Sequence, residues 1–185
     1  MKIPEQAKRV FKGVMFDVYQ WPQKMFDGSI ETFEMLKRPN TVTVLATMGD
    51  KIVVNEEEQP SKPPFVTIPG GRQEEDEDPL TTAKRELLEE AGMESDEWEL
   101  WRSYEPNSKM DWTIYVYIAR NCRKVAELAL DAGEKITVKE VHFEEFVRVA
   151  CSEQFSETEL TRELLRMQLD PDQGKIEAFR KQIFG

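Results

Sequence analysis

Several features that would settle the class of this protein at once are scarce or missing. The 185 residues include two cysteines, Cys122 and Cys151, and one histidine, His142. Two thiols make no disulfide framework, and with neither ligand spacing nor a second imidazole they make no zinc site. Two reduced thiols are expected. No run approaches the ~18 apolar residues of a membrane span, and Met1-Lys2-Ile3-Pro4-Glu5 does not begin a stretch of the signal-peptide kind. A soluble, cytoplasmic protein is therefore expected. Positive charge is also in deficit. Lys and Arg number 25 against 36 Asp and Glu, a net charge of −11 and a pI near 4.8. A protein that coats nucleic acid needs clustered cations to replace phosphate counterions, and an anionic membrane surface would repel this chain. Neither nucleic acid nor membrane is an expected partner. What is present is aromatic: ten Phe, four Trp and four Tyr within a 39% hydrophobic composition. That can furnish a core, as a disordered chain could not, and the length suits one domain with small extensions.

The chain shows no internal repeat. Val14–Tyr19 and Ile30–Leu36 alternate as strands do, with Asp27-Gly28 as a turn between them. Thr41–Thr47 is β-branched and apolar, Gly49-Asp50 marks a hairpin turn, and Lys51–Asn55 pairs back. Glu56–Pro64, polar and with three prolines, reads as a loop, and Phe65–Ile68 as a short strand. Asp78-Pro79 starts a helix, an N-cap followed by proline at the first helical position. Gly92 ends it. Trp98–Tyr104, Trp112–Ala119 and Ile136–Val141 read as strands. From Phe143 the periodicity becomes helical, with core stripes Leu160, Leu164, Leu165, Met167 and Ile176, Phe179, Ile183. Strands, one central helix, more strands and terminal helices make an α+β layered domain with mixed sheets.

The chemistry gathers in Gly71–Met93, where eight acidic residues face three basic ones, a local charge of −5. At about 100° per residue, Glu86, Glu89 and Glu90 fall within an arc of roughly 100°, with Leu80, Leu87 and Ala91 on an adjacent face. One face packs inward while another stacks three carboxylates that repel one another. A solvated acidic face is one explanation. A hard divalent cation is the other, since Mg²⁺ and Mn²⁺ prefer carboxylate oxygens together with substrate phosphates.

Gly71, Glu77, Arg85-Glu86-Leu87, Glu89-Glu90 and Gly92-Met93, at these spacings, resemble the complete Nudix box. The resemblance implies a Nudix-type α/β/α sandwich that hydrolyses a nucleoside diphosphate linked to another moiety. It assigns Glu86, Glu89 and Glu90 to the cation, helped by the Gly70 carbonyl. Arg85 orients the glutamates and pairs with Glu77. Gly71 allows the tight turn and Gly92 the helix end. The implied cofactor is Mg²⁺, with Mn²⁺ as a substitute. Phe26-Asp27-Gly28, Phe33-Glu34 and Arg38-Pro39-Asn40-Thr41-Val42 further resemble the ADP-ribose (ADP-sugar) pyrophosphatase branch, whose N-terminal strands cross to a partner. That implies a homodimer. Trp21 and Phe26 then either stack on a base or serve as interface and core aromatics, and Arg38 contacts base or phosphate or is a surface cation. Pro106 matches the branch's substrate loop without its glycine, which leaves the particular sugar open. Asp131–Ile136 resembles the loop that supplies a late glutamate, here Glu134, as general base. His142 reads as a packed or surface residue.

The expected organisation is a β extension at 1–40 for dimerisation, a hydrolase domain at 41–150 and a helical extension at 151–185. The expected activity is cleavage of a nucleoside diphosphate sugar, ADP-ribose first, to AMP and a sugar phosphate. The alternatives are another nucleotide (a modified NTP or a dinucleoside polyphosphate), a non-catalytic nucleotide-sugar sensor, and an RNA-decapping role, which the net charge disfavours.

Overall fold

In an extended chain successive side chains point to opposite faces. In the segment from Thr41 to Met48, Val42, Val44 and Ala46 are buried in one cluster and Leu45 in another. A strand buried on both faces must lie between two layers. In a computed structural model, which describes residues 2–171 and 174–185, it does.

The chain begins with β1 (Lys8–Lys12), β2 (Asp17–Lys24) and β3 (Ile30–Lys37), antiparallel neighbours. Next come β4 (Thr41–Met48), β5 (Lys51–Glu58), β6 (Phe65–Thr67), β7 (Gly70–Arg72), α1 (Pro79–Ala91), β8 (Met93–Glu94) and β9 (Glu97–Tyr104). Then follow β10 (Met110–Asp111), β11 (Ile114–Arg120), β12 (Arg123–Lys124), β13 (Lys135–His142), α2 (Phe143–Ala150), α3 (Thr158–Leu169) and α4 (Gly174–Phe184). The large sheet runs β13-β5-β4-β11-β9, with β4 and β11 parallel and the other pairs antiparallel, so it is mixed. The strand β10 joins β3 in the N-terminal sheet, and β8 pairs with β12.

Ala83, Leu87 and Ala91 of α1 pack with Val42, Val44 and Tyr117 on one face of the large sheet. On the other, Phe143, Phe146, Leu160, Leu164, Phe179 and Ile183 of the remaining helices pack with Leu45, Val54 and Ile118. The rings of Trp101 and Phe179, 4.9 Å apart, tie β9 to α4. This is the expected α+β, α/β/α arrangement, with N-terminal antiparallel strands and C-terminal helices.

One irregularity places the site. The hairpin of β4 and β5 is paired only next to its turn, at Thr47–Ile52 and Met48–Lys51. Beyond that the two strands separate. The start of β4 takes β7 as partner (Thr41–Arg72, Thr43–Gly70), and the end of β5 takes β6 (Asn55–Thr67, Glu57–Phe65). The split opens a cleft with β5 and β6 on one side and β4 and β7 on the other.

Some local expectations need correction. The first strand pair starts earlier, at Lys8, and Val14–Phe16 is a turn closed by the Gly13 amide on the Phe16 carbonyl. Glu56, Glu57 and Glu58 belong to β5 and not to a loop, because β13 pairs with them and Lys135 and Lys139 reach Glu58 and Glu56 across the ladder. Trp112 precedes β11. Leu165 turns to solvent, 41% exposed, while Leu160 and Leu164 are buried.

Candidate functional site

The helix α1 is fixed at both ends by local chemistry. Its N-cap, Asp78, accepts from the Leu80 and Thr81 amides at 2.9 and 3.1 Å, satisfying donors that a helix leaves open. At the other end Gly92 sits at φ 65°, and a Cβ there would lie 2.2 Å from the Ala126 carbonyl oxygen. Between these limits Leu87 and Ala91 are pulled into the core, which turns the glutamates toward β7.

Glu86 and Glu90 are both buried. Glu90 Oε2 accepts from the Gly70 amide at 3.0 Å and from Asn55 Nδ2 at 3.1 Å. Glu86 lies against the turn: a Cβ on Gly71 would stand 2.4 Å from its Oε1. A Cβ on Gly70 would meet the Val42 carbonyl oxygen at 2.3 Å. Gly70 is therefore required by the close approach of the β4 backbone, while a side chain at Gly71 would displace the Glu86 carboxylate.

Arg85 organises the acids. Its Nε and Nη2 donate to the two carboxylate oxygens of Glu77 at 2.9 and 3.1 Å, a fork matched to a fork. Its Nη1 lies 2.9 Å from both Glu86 Oε1 and Glu89 Oε2, and Nη2 also donates to the Arg72 carbonyl. The Arg85 hydrogen bond, with help from Thr82, holds the Glu77 carboxyl down at about 2. The same acids push the Arg85 pKa above its ordinary value. Desolvation acts the other way on the buried pair. It raises Glu86 to about 7 against the opposing charge of Arg85, and Glu90 to about 9 with the charges of Glu86, Glu57 and Glu134 adding to it.

That imbalance tests whether a cation fits. Among the described residues no three acidic, histidine or cysteine side chains already stand together as a metal site. Arg85 Nη1 holds one oxygen each of Glu86 and Glu89, while Gly70 and Asn55 hold Glu90 Oε2. The donor set nevertheless suits a hard divalent ion: its side chains offer carboxylate oxygens, and the carboxylates of Glu86 and Glu90 are desolvated beyond what one arginine offsets.

The cleft around these groups has two connected cavities. One, about 450 Å³, is lined by Arg85, Glu86, Glu89, Glu90, Arg72 and Glu134 among others. The other, about 570 Å³, runs from Arg38, Pro106 and Trp112 to Glu57, Thr67 and Glu157. Arg38, Gln59, Gly70, Gly71, Glu90 and Glu134 border both. Arg38, Pro106 and Glu134, each read from sequence, thus meet the carboxylate helix in one cleft.

Arg38 stacks over Trp112 at 4.6 Å, and among the described residues its buried Nε has no hydrogen-bond partner. Desolvation and the nearby Arg72 lower its pKa. Trp21 and Phe26 are not brought to the cleft within one chain. Trp21 is buried against Phe33, its Nε1 donating to Gln23, and Phe26 is fully exposed near the turn between β2 and β3. His142 lies at the surface, its Nδ1 3.3 Å from an Asp50 carboxylate oxygen. Glu57, Thr67 and Glu157 went unread in the sequence. For Glu57 the signal lay in the β13 lysines, which pair with Glu56 and Glu58 on either side of it.

A family model for the NUDIX domain matches residues 37–165. The chain is 28% identical over 166 residues to the ADP-ribose pyrophosphatase of Bacillus subtilis (strain 168), covering 88% of this chain and 90% of that protein. It is 31% identical over 144 residues to the methanol dehydrogenase activator of Bacillus methanolicus, covering 76% and 78%. A crystal structure of an ADP compounds hydrolase superposes with a TM-score of 0.70 over 92% of this chain and 95% of that one, at 17% identity, a likeness of fold.

Proposed function

This chain belongs to the Nudix family and is a hydrolase of that kind, and from that premise we propose that it cleaves the pyrophosphate of a nucleoside diphosphate sugar, ADP-ribose first, to AMP and a sugar phosphate. The observation that carries the proposal is the continuity of the cleft. Glu90 of the carboxylate helix and Arg38 on its aromatic face border both cavities, and a further arm walled by Glu57 and Thr67 belongs to the larger one. A molecule with a pyrophosphate at its centre and a group on either side matches that layout. The relative of 28% identity supports ADP-ribose as the first substrate to try.

Glu86, Glu89 and Glu90, with the Gly70 carbonyl, are the proposed ligands of Mg²⁺, or Mn²⁺ in its place. Such an ion, when bound, neutralises the pyrophosphate and acidifies water. The residues themselves do the positioning. Arg85 keeps Glu86 and Glu89 in place while anchored on Glu77. The Gly70 amide fixes Glu90. Arg38 offers its unpaired donors to a phosphate or the base. Glu134 is proposed to accept the proton of the attacking water as its oxygen bonds to phosphorus and the bridging P–O bond breaks.

A homodimer through residues 1–40 is part of the proposal, with 41–150 as the hydrolase domain and 151–185 as a helical extension. Exposed Val10, Phe11, Val14, Phe26 and Ile30 in the N-terminal segment support it, and across such an interface Phe26 would serve the neighbouring cleft, while Trp21, buried against Phe33, is a core aromatic of its own chain. A cytoplasmic setting is proposed on the two free thiols. Among the described residues no helix is long and apolar enough to cross a membrane.

The test is product analysis on a panel of nucleoside diphosphate sugars with Mg²⁺ and with chelator. AMP release that depends on the metal is expected. A panel that yields no AMP removes the substrate assignment. A second reading follows from the relative of 31% identity: the chain raises the activity of a dehydrogenase partner. Adding it to methanol dehydrogenase with no gain in rate disposes of that reading.

A further inference from the structure

The arm of the larger cavity that lies away from Arg38 and Trp112 has a chemistry of its own. It is walled by Glu57, Lys62, Phe65, Thr67, Ser156 and Glu157. Glu57 is only 5% exposed and comes from the part of β5 that the split hairpin frees. Its Oε1 accepts from Gln59 Nε2 at 2.5 Å. Among the described residues no donor reaches its Oε2. Glu157 is engaged by the hydroxyls of Thr67 and Ser156, both at 3.3 Å. Lys62, the cation of this wall, lies over the Phe65 ring and donates to Gln59 at 2.6 Å, not to Glu57.

An ionised carboxylate only accepts hydrogen bonds, so whatever satisfies Glu57 Oε2 must donate one. Sugar hydroxyls donate. Phosphate oxygens at neutral pH do not, and next to a carboxylate in a desolvated cavity they are repelled. The two ends of the cavity thus make opposite demands. The Arg38 end suits an anion or a base, and the Glu57 end suits a neutral, hydroxyl-rich group.

We propose that Glu57 is a specificity-determining residue: its free carboxylate oxygen takes a hydroxyl of the sugar attached to the diphosphate, and its charge excludes nucleotides that carry further phosphate at that end. This rests on the reading of the cleft as a nucleotide-sugar hydrolase site and narrows its substrate class to a diphosphate bearing an uncharged polyol. It separates nucleoside diphosphate sugars from nucleoside triphosphates and dinucleoside polyphosphates, which share the same pyrophosphate chemistry.

Two variants divide attraction from repulsion. Glu57→Ala removes both. The KM for ADP-ribose should rise about tenfold, as for loss of a hydrogen bond to a charged group, with kcat changed by no more than about threefold. Glu57→Gln removes the charge and, with its amide oxygen held by Gln59, turns an NH2 toward the cavity that can still donate to a hydroxyl oxygen. It should raise the KM for ADP-ribose less than Glu57→Ala does, while kcat/KM for ATP rises about tenfold. Thermal melts matching the wild type verify that both variants fold. A Glu57→Ala preference for ADP-ribose over ATP within about twofold of wild type would overturn the assignment while leaving the nucleotide-sugar reading in place. A raised Mg²⁺ requirement with unchanged discrimination would also overturn it, making Glu57 a metal ligand. Wild-type protein that hydrolyses ATP or a dinucleoside polyphosphate but no nucleoside diphosphate sugar would sink both the assignment and the reading beneath it.

Discussion

Two arginines border the same cleft, and the fold treats them in opposite ways. Arg85 is saturated: Glu77 takes two of its nitrogens, Glu86 and Glu89 share a third, and the Arg72 carbonyl adds another bond. Arg38 has an aromatic face beneath it and, among the described residues, no carboxylate partner and no acceptor for its buried Nε. A buried donor left unpaired costs stability, so a fold keeps one where a ligand completes it. Arg85 belongs to the scaffold that aligns the acids, and Arg38 to the substrate. The difference shows that charge alone does not mark a binding residue. What marks it is charge that the protein's own groups leave unmet.

The largest effect should come from the acids themselves. Glu90→Gln retains side-chain volume but removes a carboxylate that Gly70 and Asn55 aim into the cleft. Turnover should fall by about 10²–10³-fold or more with the fold intact, as read by kcat alongside a thermal melt. Near-wild-type kcat would remove Glu90 from the site. The arginines come next, and methionine tests both because it keeps the apolar stem. Arg85→Met strands Glu77, Glu86 and Glu89. It should lower kcat about 10²-fold and cost about 1–3 kcal/mol, moderated because several of these groups are partly exposed. That corresponds to a Tm lowered by roughly 2–4 °C per kcal/mol. Arg38→Met should raise the substrate KM about tenfold while leaving Tm unchanged or higher, since it removes an unpaired cation and keeps contact with Trp112. Equal losses of stability in the two variants would erase the contrast.

How far each region could be read in advance follows from where its information lies. The helix α1 was legible to the residue, because Asp78, Pro79 and Gly92 act within a few positions of one another. The facing of Glu86, Glu89 and Glu90 follows from helical spacing and the apolar face beside it. Glu57 was not legible, since three acids followed by prolines look like a solvated loop. Pairing with β6 on one edge and with β13, some eighty positions later in the chain, on the other makes that segment a strand and turns Glu57 inward. Trp112 read as the start of a strand because its neighbours alternate. Its ring instead carries Arg38, and its Nε1 donates to Thr41. Trp21 and Phe26 fall between these cases. Alternation gives their strand, but an alternating strand does not say what lies on either face.

The smallest expected effect concerns the acids in the absence of substrate, and its sign follows from their burial. Desolvation is the leading cause that lifts Glu86 from 4.5 to about 7 and Glu90 to about 9 in the folded chain. Below about pH 4.5 both groups are protonated whether the chain is folded or not, and they contribute no pH dependence. Above that value the folded state holds protons that the unfolded chain gives up. Metal-free stability should therefore fall as pH rises through about 7 for Glu86 and about 9 for Glu90, and level off beyond. Glu77 has the opposite sign. Held at about 2 by Arg85, it stabilises the fold fully above about pH 4.5 and loses that contribution as pH falls toward 2. With chelator present, Tm should thus be highest in mildly acid solution. A divalent cation binds the deprotonated carboxylates, so the rise in Tm on adding Mg²⁺ should be small near pH 5 and grow toward pH 9. Melts across that range, with and without Mg²⁺, measure both slopes. A Mg²⁺ effect that does not change with pH would mean that the ion binds away from Glu86 and Glu90.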